Sequence, residues 1–351
     1  MSAGGENLVL FPTIAHQHKA SGTWSADVHG WCFDGADDFH FQRTAASFLR
    51  RALKIDRNHP DPPFFRERAG GFVVENRKKI VIEVAYDQAN LLAVKTKRNG
   101  HFQTKINLAI EDDSPTFTTS FGSRKIYLNA IRKDCQINAT GGCFFIPDQG
   151  LSIISDIDDT IKFSNVGNRS ELLANTFLRP FRPIEGMAEL FNHLATPQRS
   201  FHYISATPWQ MIRAVSQFLS EHNFPEGSVH LRKFALKDVT FLKKIFPAHK
   251  KKRKVVEGLM TRFPQRRFLL FGDTGEKDPE IYGDIARRFP EQILGICLRN
   301  VSPDLPGSMR FRKAFTNVSP RKWIIFEDVL RLESQFLPEM IGSYHDNFDP
   351  C

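Results

Sequence analysis

The sequence predicts an α/β chain in two parts: a small, mostly-β, sandwich-like domain over residues 1–146, then a doubly wound parallel-sheet domain over 147–335 with a tail at 336–351. Three observations predict it. Before residue 146 apolar residues alternate with polar ones, as in half-buried strands. From Leu151 they come in short unbroken runs separated by helical stretches, the texture of buried parallel strands with crossover helices. The length of 351 residues also exceeds the roughly 250–300 at which a single core stops growing.

In the first part Ile80, Ile82, Val84 and Tyr86 alternate with Val81, Glu83 and Ala85, and Phe102, Thr104, Ile106, Leu108 and Ile110 fall on one face. Asn99-Gly100 between these runs supplies the left-handed turn of a tight hairpin. Ala45, Phe48, Leu49, Ala52 and Leu53 share one side of a helix. A small antiparallel sandwich is expected. In the second part the runs LSIIS, FHYIS, FLLFG and ILGICL are strands, and residues 208–221, 252–263 and 280–289 are helices. Another helix is expected around Trp323 to Phe336. There is no internal repeat.

Composition narrows the function classes. Cys32, Cys135, Cys143, Cys297 and Cys351 are odd in number and show no CxxC spacing, which excludes a disulfide framework and a thiolate zinc site. No secretory signal and no apolar stretch of roughly 20 residues is seen, so a cytoplasmic chain with at most peripheral membrane contact is expected. The formal net charge of +9 points to an anionic partner, nucleic acid or an acidic lipid surface.

In a doubly wound sheet ligands sit beyond the carboxyl ends of the strands, so the residues after each apolar run carry the chemistry. After LSIIS come Asp156-Ile157-Asp158-Asp159-Thr160, three carboxylates within four residues. After FLLFG come Gly272-Asp273-Thr274-Gly275-Glu276-Lys277-Asp278. So many like charges at a sheet edge need a cation, and hard oxygen ligands from two loops suit a Mg²⁺ that also accepts phosphate. Between them FHYIS ends in Ser205-Ala206-Thr207-Pro208. Ser205 is expected to hold a phosphate oxygen, and Thr207, before Pro208, to cap the following helix. The basic run Lys250 to Lys254 leaves the choice of a partner lysine open. Helical spacing singles out Lys252, in register with Val256, Leu259 and Phe263 on the face that packs on the sheet.

In this order the four segments resemble the four motifs of the haloacid-dehalogenase superfamily: DxDxT, a Ser or Thr after the second strand, a Lys, and an acidic GD loop. SDIDDTIKFSNV, FHYISATPWQ and FLLFGDTGEKDPEIYGDIARRFP further resemble the catalytic domain of the App1-like phosphatidate phosphatases, over about 145–330. The VHGWCF segment is similar to that family's strand-rich leading region. The resemblance implies a haloacid-dehalogenase-like Rossmannoid fold and Mg²⁺-dependent hydrolysis of phosphatidate. Asp156 would be the nucleophile and Asp158 the acid and base. Asp156, the carbonyl of Asp158 and Asp273 would hold the metal, and Asp278 would bind a metal-bound water or orient Lys252. Ser205, Lys252 and Thr160 would bind phosphate.

The same resemblance implies an anionic membrane surface as partner in place of nucleic acid, with Arg179, Arg182, Arg232 and the 250–254 run as candidate lipid contacts. Trp209 would either touch acyl chains or pack internally. Cytoskeletal recruitment, also implied, leaves no readable motif. Two other readings share these residues: a phosphatase for a nucleotide, soluble phosphomonoester or phosphoprotein, and an inactive lipid-binding or adaptor module. The segment from Lys162 to Glu185 is too short for a large cap domain, so an open site is expected.

Overall fold

The computed structural model describes residues 6–18, 21–35, 50, 63–72, 74–86, 91–108, 117–232, 249–342 and 344. The helix expected from Ala45, Phe48, Leu49, Ala52 and Leu53 lies outside the described residues, as does Ile110.

Ten strands before residue 147 form one sheet: β1 (Glu6–Leu10), β2 (Thr13–Gln17), β3 (Trp24–Gly35), β4 (Val74–Asn76), β5 (Val81–Ala85), β6 (Leu91–Lys95), β7 (His101–Leu108), β8 (Phe117–Thr118), β9 (Arg124–Arg132) and β10 (Ile137–Ile146). Helix α1 (Pro63–Gly70) precedes β4. Their order is β1-β3-β2-β10-β9-β5-β6, with β4 and β7 on β3 and β8 on β9. Two expectations need correcting. The sheet is not wholly antiparallel, because β10 runs parallel to β2 with Cys143 opposite Thr13. The intervening chain is long enough for the crossover that a parallel pair requires. The Asn99-Gly100 turn does form, with Gly100 at φ +73 and the Lys97 N–H donating to the His101 carbonyl at 2.8 Å. It joins β6 to β7, however, and β7 then pairs along β3 while β5 pairs with β6 and β9.

From Leu151 six parallel strands form a second sheet: β11 (Leu151–Asp156), β12 (Arg199–Pro208), β13 (Gly227–Arg232), β14 (Arg267–Asp273), β15 (Ile293–Arg299) and β16 (Trp323–Phe326), in the order β13-β12-β11-β14-β15-β16. Every residue of β11 is buried, as expected for a central strand covered on both faces. The helices are α2 (Arg169–Phe177), α3 (Met187–Leu194), α4 (Ile212–Glu221), α5 (His249–Arg262), α6 (Asp278–Arg288), α7 (Met309–Ala314), α8 (Val329–Arg331) and α9 (Leu337–Ile341). On one face Ile153, Leu269 and Phe271 meet Phe177, Phe191 and Phe218 of α2, α3 and α4. On the other Ile154, Phe268 and Leu270 meet Val256 and Leu259 of α5, Phe263 directly after it and Ile285 of α6. The period-2 alternation of each strand thus feeds two helical layers.

Three further departures are local. Trp323–Phe326 is an edge strand, and helix begins only at Val329. Residues 337–341, expected in a tail, form α9 with Leu337 and Met340 buried in the core. Strand β12 runs to Pro208, so Trp209–Met211 is a single 3₁₀ turn before α4. The apolar cluster on that side also includes Trp31 and Phe33 of β3 and Phe11 between β1 and β2, and Trp209 stacks on His101 with ring centroids 3.2 Å apart. Trp209 is 2% exposed, which settles its role as packing and not as an acyl-chain contact.

The amino end of the parallel sheet is tied by Arg266, a cation with no exposure. It donates to the carbonyls of Pro147 (2.8 Å), Gln149 and Leu151 (2.7 Å) and to Ser152 Oγ (2.9 Å) and Ser200 Oγ (3.2 Å). Removing the guanidinium leaves several buried acceptors unpaired, each worth about 1–3 kcal/mol. Arg266→Met is therefore expected to lower stability by at least about 3 kcal/mol in urea unfolding, and a change within about 0.5 kcal/mol would contradict this account of Arg266.

Candidate active site

Strands β11, β12 and β14 and helix α5 deliver their polar residues to one place at the carboxyl edge of the sheet. Asp156 ends β11, and Asp273 ends β14, the strand directly beside it. Asp278 opens α6 and reaches back to the strand end, where its Oδ2 accepts from the Asp273 N–H at 3.3 Å. That closure requires Gly272, since a Cβ there would sit 2.5 Å from Asp278 Oδ2 and 2.8 Å from the Tyr282 ring.

Lys252 lies on the sheet-facing side of α5 and is 6% exposed, whereas Lys251 and Lys254 are exposed. Its Nζ lies 2.7 Å from Asp156 Oδ1, 2.5 Å from Asp278 Oδ1 and 3.8 Å from Glu276 Oε2. Among the described lysines of the basic run, this one joins the constellation. Burial opposes the charge on Lys252, but Asp156 and Asp278 outweigh it and hold the ammonium well above its ordinary range. Asp156 and Asp273 are both pushed well above the usual carboxylate range, by burial first and then by the carboxylates around them, against the pull of Lys252.

One ammonium is too little for this cluster. Carboxylate oxygens of Asp156, Asp273 and Asp278 all lie within 4.8 Å of one another. Asp273 Oδ1 accepts from the Gly275 (2.6 Å) and Glu276 (2.9 Å) N–H groups, while its Oδ2 is buried with no hydrogen-bond partner. An orphaned buried carboxylate oxygen facing two more carboxylates is a donor set that fits a hard divalent cation.

Asp158 stands apart from that trio. Its Oδ1 accepts from Lys162 Nζ (2.7 Å) and Ser164 Oγ (2.7 Å), and its Oδ2 from Ser205 Oγ (2.8 Å) and Thr207 Oγ1 (2.9 Å). Burial raises this carboxyl, yet Lys162 and the surrounding hydroxyls outweigh it and hold the group well below the usual carboxylate range. One expectation changes accordingly. The Thr207 side chain does not cap a helix, because β12 extends past it and its hydroxyl is spent on Asp158. The Thr160 hydroxyl has no exposed surface and donates to Asp156 Oδ2 at 3.3 Å. Asp159, at φ +56, accepts from the backbone N–H groups of Ser164, Asn165 and Val166 and shapes the loop.

Sequence reasoning missed Lys162, Ser164 and Glu276. Lys162 carried a signal: a lone cation between Ile161 and Phe163, directly after three carboxylates, cannot stay buried unpaired. Among the candidate lipid contacts, Arg182 is exposed and stacks over Phe163 at 4.7 Å, while Arg179 is bound to Glu171 at 2.6 Å. Arg232 is half-buried beside the end of β12. Among the described residues no helix is long and apolar enough to cross a membrane.

Comparison with known proteins covers the same strands. Residues 151–300 match the family model described as the catalytic domain of phosphatidate phosphatase APP1. The chain is 32% identical over 238 residues to an uncharacterized protein of Schizosaccharomyces pombe, covering 65% of this chain and 37% of that protein. It is 32% identical over 178 residues to phosphatidate phosphatase APP1 of Saccharomyces cerevisiae, covering 48% of this chain and 30% of that protein. The chain thus spans about a third of the length of the curated relatives it matches. A sialyltransferase structure from Photobacterium damsela aligns at a TM-score of 0.25 and 10% identity over 75% of this chain and 54% of that one, too loose a likeness to carry an argument. Residues 151–300 thus form a catalytic domain of the App1-like phosphatidate phosphatase family.

Proposed function

We propose that the chain is a Mg²⁺-dependent phosphatase of haloacid-dehalogenase type that hydrolyses phosphatidate to diacylglycerol and phosphate through an aspartyl-phosphate on Asp156. The observation that carries this reading is the buried convergence of Asp156, Lys252, Asp273 and Asp278 within the region that matches the phosphatidate phosphatase family. The substrate rests on that family and on the basic charge of the chain, +9 overall. A cytoplasmic setting with peripheral membrane contact belongs to the same reading.

Asp156 Oδ1, placed beside Lys252 and ionised once a bound cation offsets the surrounding acids, attacks phosphorus in line and the ester oxygen leaves. Thr160 keeps the other carboxylate oxygen aligned. Asp156, Asp273, Asp278 and the Asp158 carbonyl would hold a Mg²⁺, which when bound would offset charge on the transferring group. Lys252 supplies a donor to the remaining phosphate oxygens, and Ser205 does so once its hydroxyl turns from Asp158 Oδ2. Asp158, kept ionised by Lys162, is suited to take a proton from the water that cleaves the aspartyl-phosphate. To protonate the leaving alkoxide in the first half-reaction, its carboxyl must leave Lys162 and take up a proton.

The direct test is phosphate release from phosphatidate in mixed micelles, with Mg²⁺ or EDTA, beside nucleotide and phosphopeptide controls. Magnesium-dependent release that falls at least about a thousandfold in Asp156→Asn and Asp158→Asn is expected. Cleavage of a control monoester with phosphatidate ignored would keep the mechanism and reject the substrate; silence on every substrate would leave the inactive-module reading.

A second comparison isolates the lysine. Lys252→Met is expected to lose about a hundredfold or more in kcat, while the exposed Lys254→Met keeps native kcat under the same conditions. Equal losses in the two variants would remove Lys252 from the site.

A further inference from the structure

Large apolar side chains exposed to water are few among the described residues, and their distribution is uneven. Val81, Leu91, Leu92 and Tyr127 belong to the first sheet. Leu305, Met309 and Leu330, at 75%, 76% and 73% exposure, all lie on the segments that leave the carboxyl ends of β15 and β16. That edge of the parallel sheet is the one that carries the Asp156 cluster.

The connection to the site is direct. Arg310, next to Met309, donates to the Thr274 carbonyl at 2.6 Å and to the Glu276 carbonyl, inside the loop between Asp273 and Asp278. Thr274 Oγ1 in turn accepts from the N–H groups of Val301 (2.9 Å) and Ser302 (3.0 Å). The 300–310 segment is therefore stitched to the loop that holds two of the three clustered carboxylates. Leu305 stands at its tip between Asp304 and Pro306, and Met309 opens α7, whose Phe311 and Ala314 are buried while Arg312 and Lys313 are exposed. Leu330 lines a groove of about 800 Å³ together with Phe163, Arg182 and Arg299, and Arg299 donates to the Asp159 carbonyl at 2.8 Å.

We propose that the 303–313 segment, with Leu305 and Met309 as inserted side chains and Arg312 and Lys313 as headgroup contacts, is the surface by which the chain docks on an anionic lipid bilayer. This rests on the phosphatidate reading above and specifies how the site reaches its substrate. Two apolar side chains on a short segment, backed by exposed cations, match the layering of a lipid interface, with acyl carbons below and anionic headgroups above. A protein-facing patch of two isolated side chains offers no contiguous apolar area to bury. Docking here points the carboxyl edge of the sheet at the membrane plane, so a phosphate at the lipid surface meets Asp156 without leaving the bilayer.

The test uses the full chain and phosphatidylcholine vesicles with and without phosphatidylserine, free of phosphatidate, so that binding is read apart from catalysis. Leu305→Ser/Met309→Ser is compared with Leu91→Ser/Leu92→Ser on the first sheet, and hydrolysis is followed on vesicle phosphatidate and on a water-soluble short-chain phosphatidate. The native chain is expected to bind phosphatidylserine vesicles. The 305/309 variant should bind at least about tenfold more weakly, lose vesicle hydrolysis in parallel and keep the short-chain reaction, with the 91/92 variant unchanged. Vesicle binding that is absent in the native chain, unaltered in the 305/309 variant, or lost only in the 91/92 variant overturns the proposal. A native chain that binds vesicles through Leu305 and Met309 yet hydrolyses neither phosphatidate would reject the substrate reading and keep the docking surface.

Discussion

The buried ammonium of Lys252 sets the electrostatics of the Asp156, Asp273 and Asp278 cluster at the sheet's carboxyl edge. It touches Asp156 and Asp278 and comes within 3.8 Å of Glu276, all in surroundings too dry for bulk water to screen them. Without it the ends of β11 and β14 and the start of α6 would bring like charges together with nothing to offset them. With it the cluster still carries excess negative charge, and an electrostatic deficit of that kind favours a divalent ion. The same ammonium holds α5 at a fixed height on the sheet, so the packing of Val256, Leu259 and Phe263 and the geometry of the carboxylates constrain each other.

The two carboxylates of the Asp156-Ile157-Asp158 turn are held in opposite ways. Asp156 faces other acids and resists ionisation, while Asp158 is gripped by Lys162, Ser164, Ser205 and Thr207 and resists protonation. Pairs of titratable groups whose surroundings push them apart divide the work of acid–base chemistry. Ser205 and Thr207 take part in this division from β12, so the second strand contributes by restraining Asp158.

Much of the α/β part was legible because its signals are local. An unbroken apolar run marks a buried parallel strand, the residues after it mark the reactive edge, and the 252, 256, 259, 263 spacing picks out one lysine from a basic run. What escaped depends on contacts distant in sequence or on weak edge signals. Strand β13 has only Val229 and Leu231 as apolar residues, and the four residues of β16 are followed closely by helix. The parallel pairing of β2 with β10 and the stacking of His101 on Trp209 join residues whose proximity no periodicity encodes. The role of Lys162 was hidden because helical and strand periods say nothing about a turn in which a side chain folds back on its own loop.

The central placement of β11 has a consequence for the birth of the molecule. Its two edges are satisfied by β12 and β14, both made later, and β14 begins only at Arg267, after β12, β13 and α5 have been synthesised. While the ribosome is still translating that stretch, an apolar strand waits with one or both edges unpaired, the condition in which nascent chains adhere to one another. Cells making this protein thus face a long interval in which chaperone capacity governs the yield of folded chain, and a translational pause placed before β14 would lengthen that exposure.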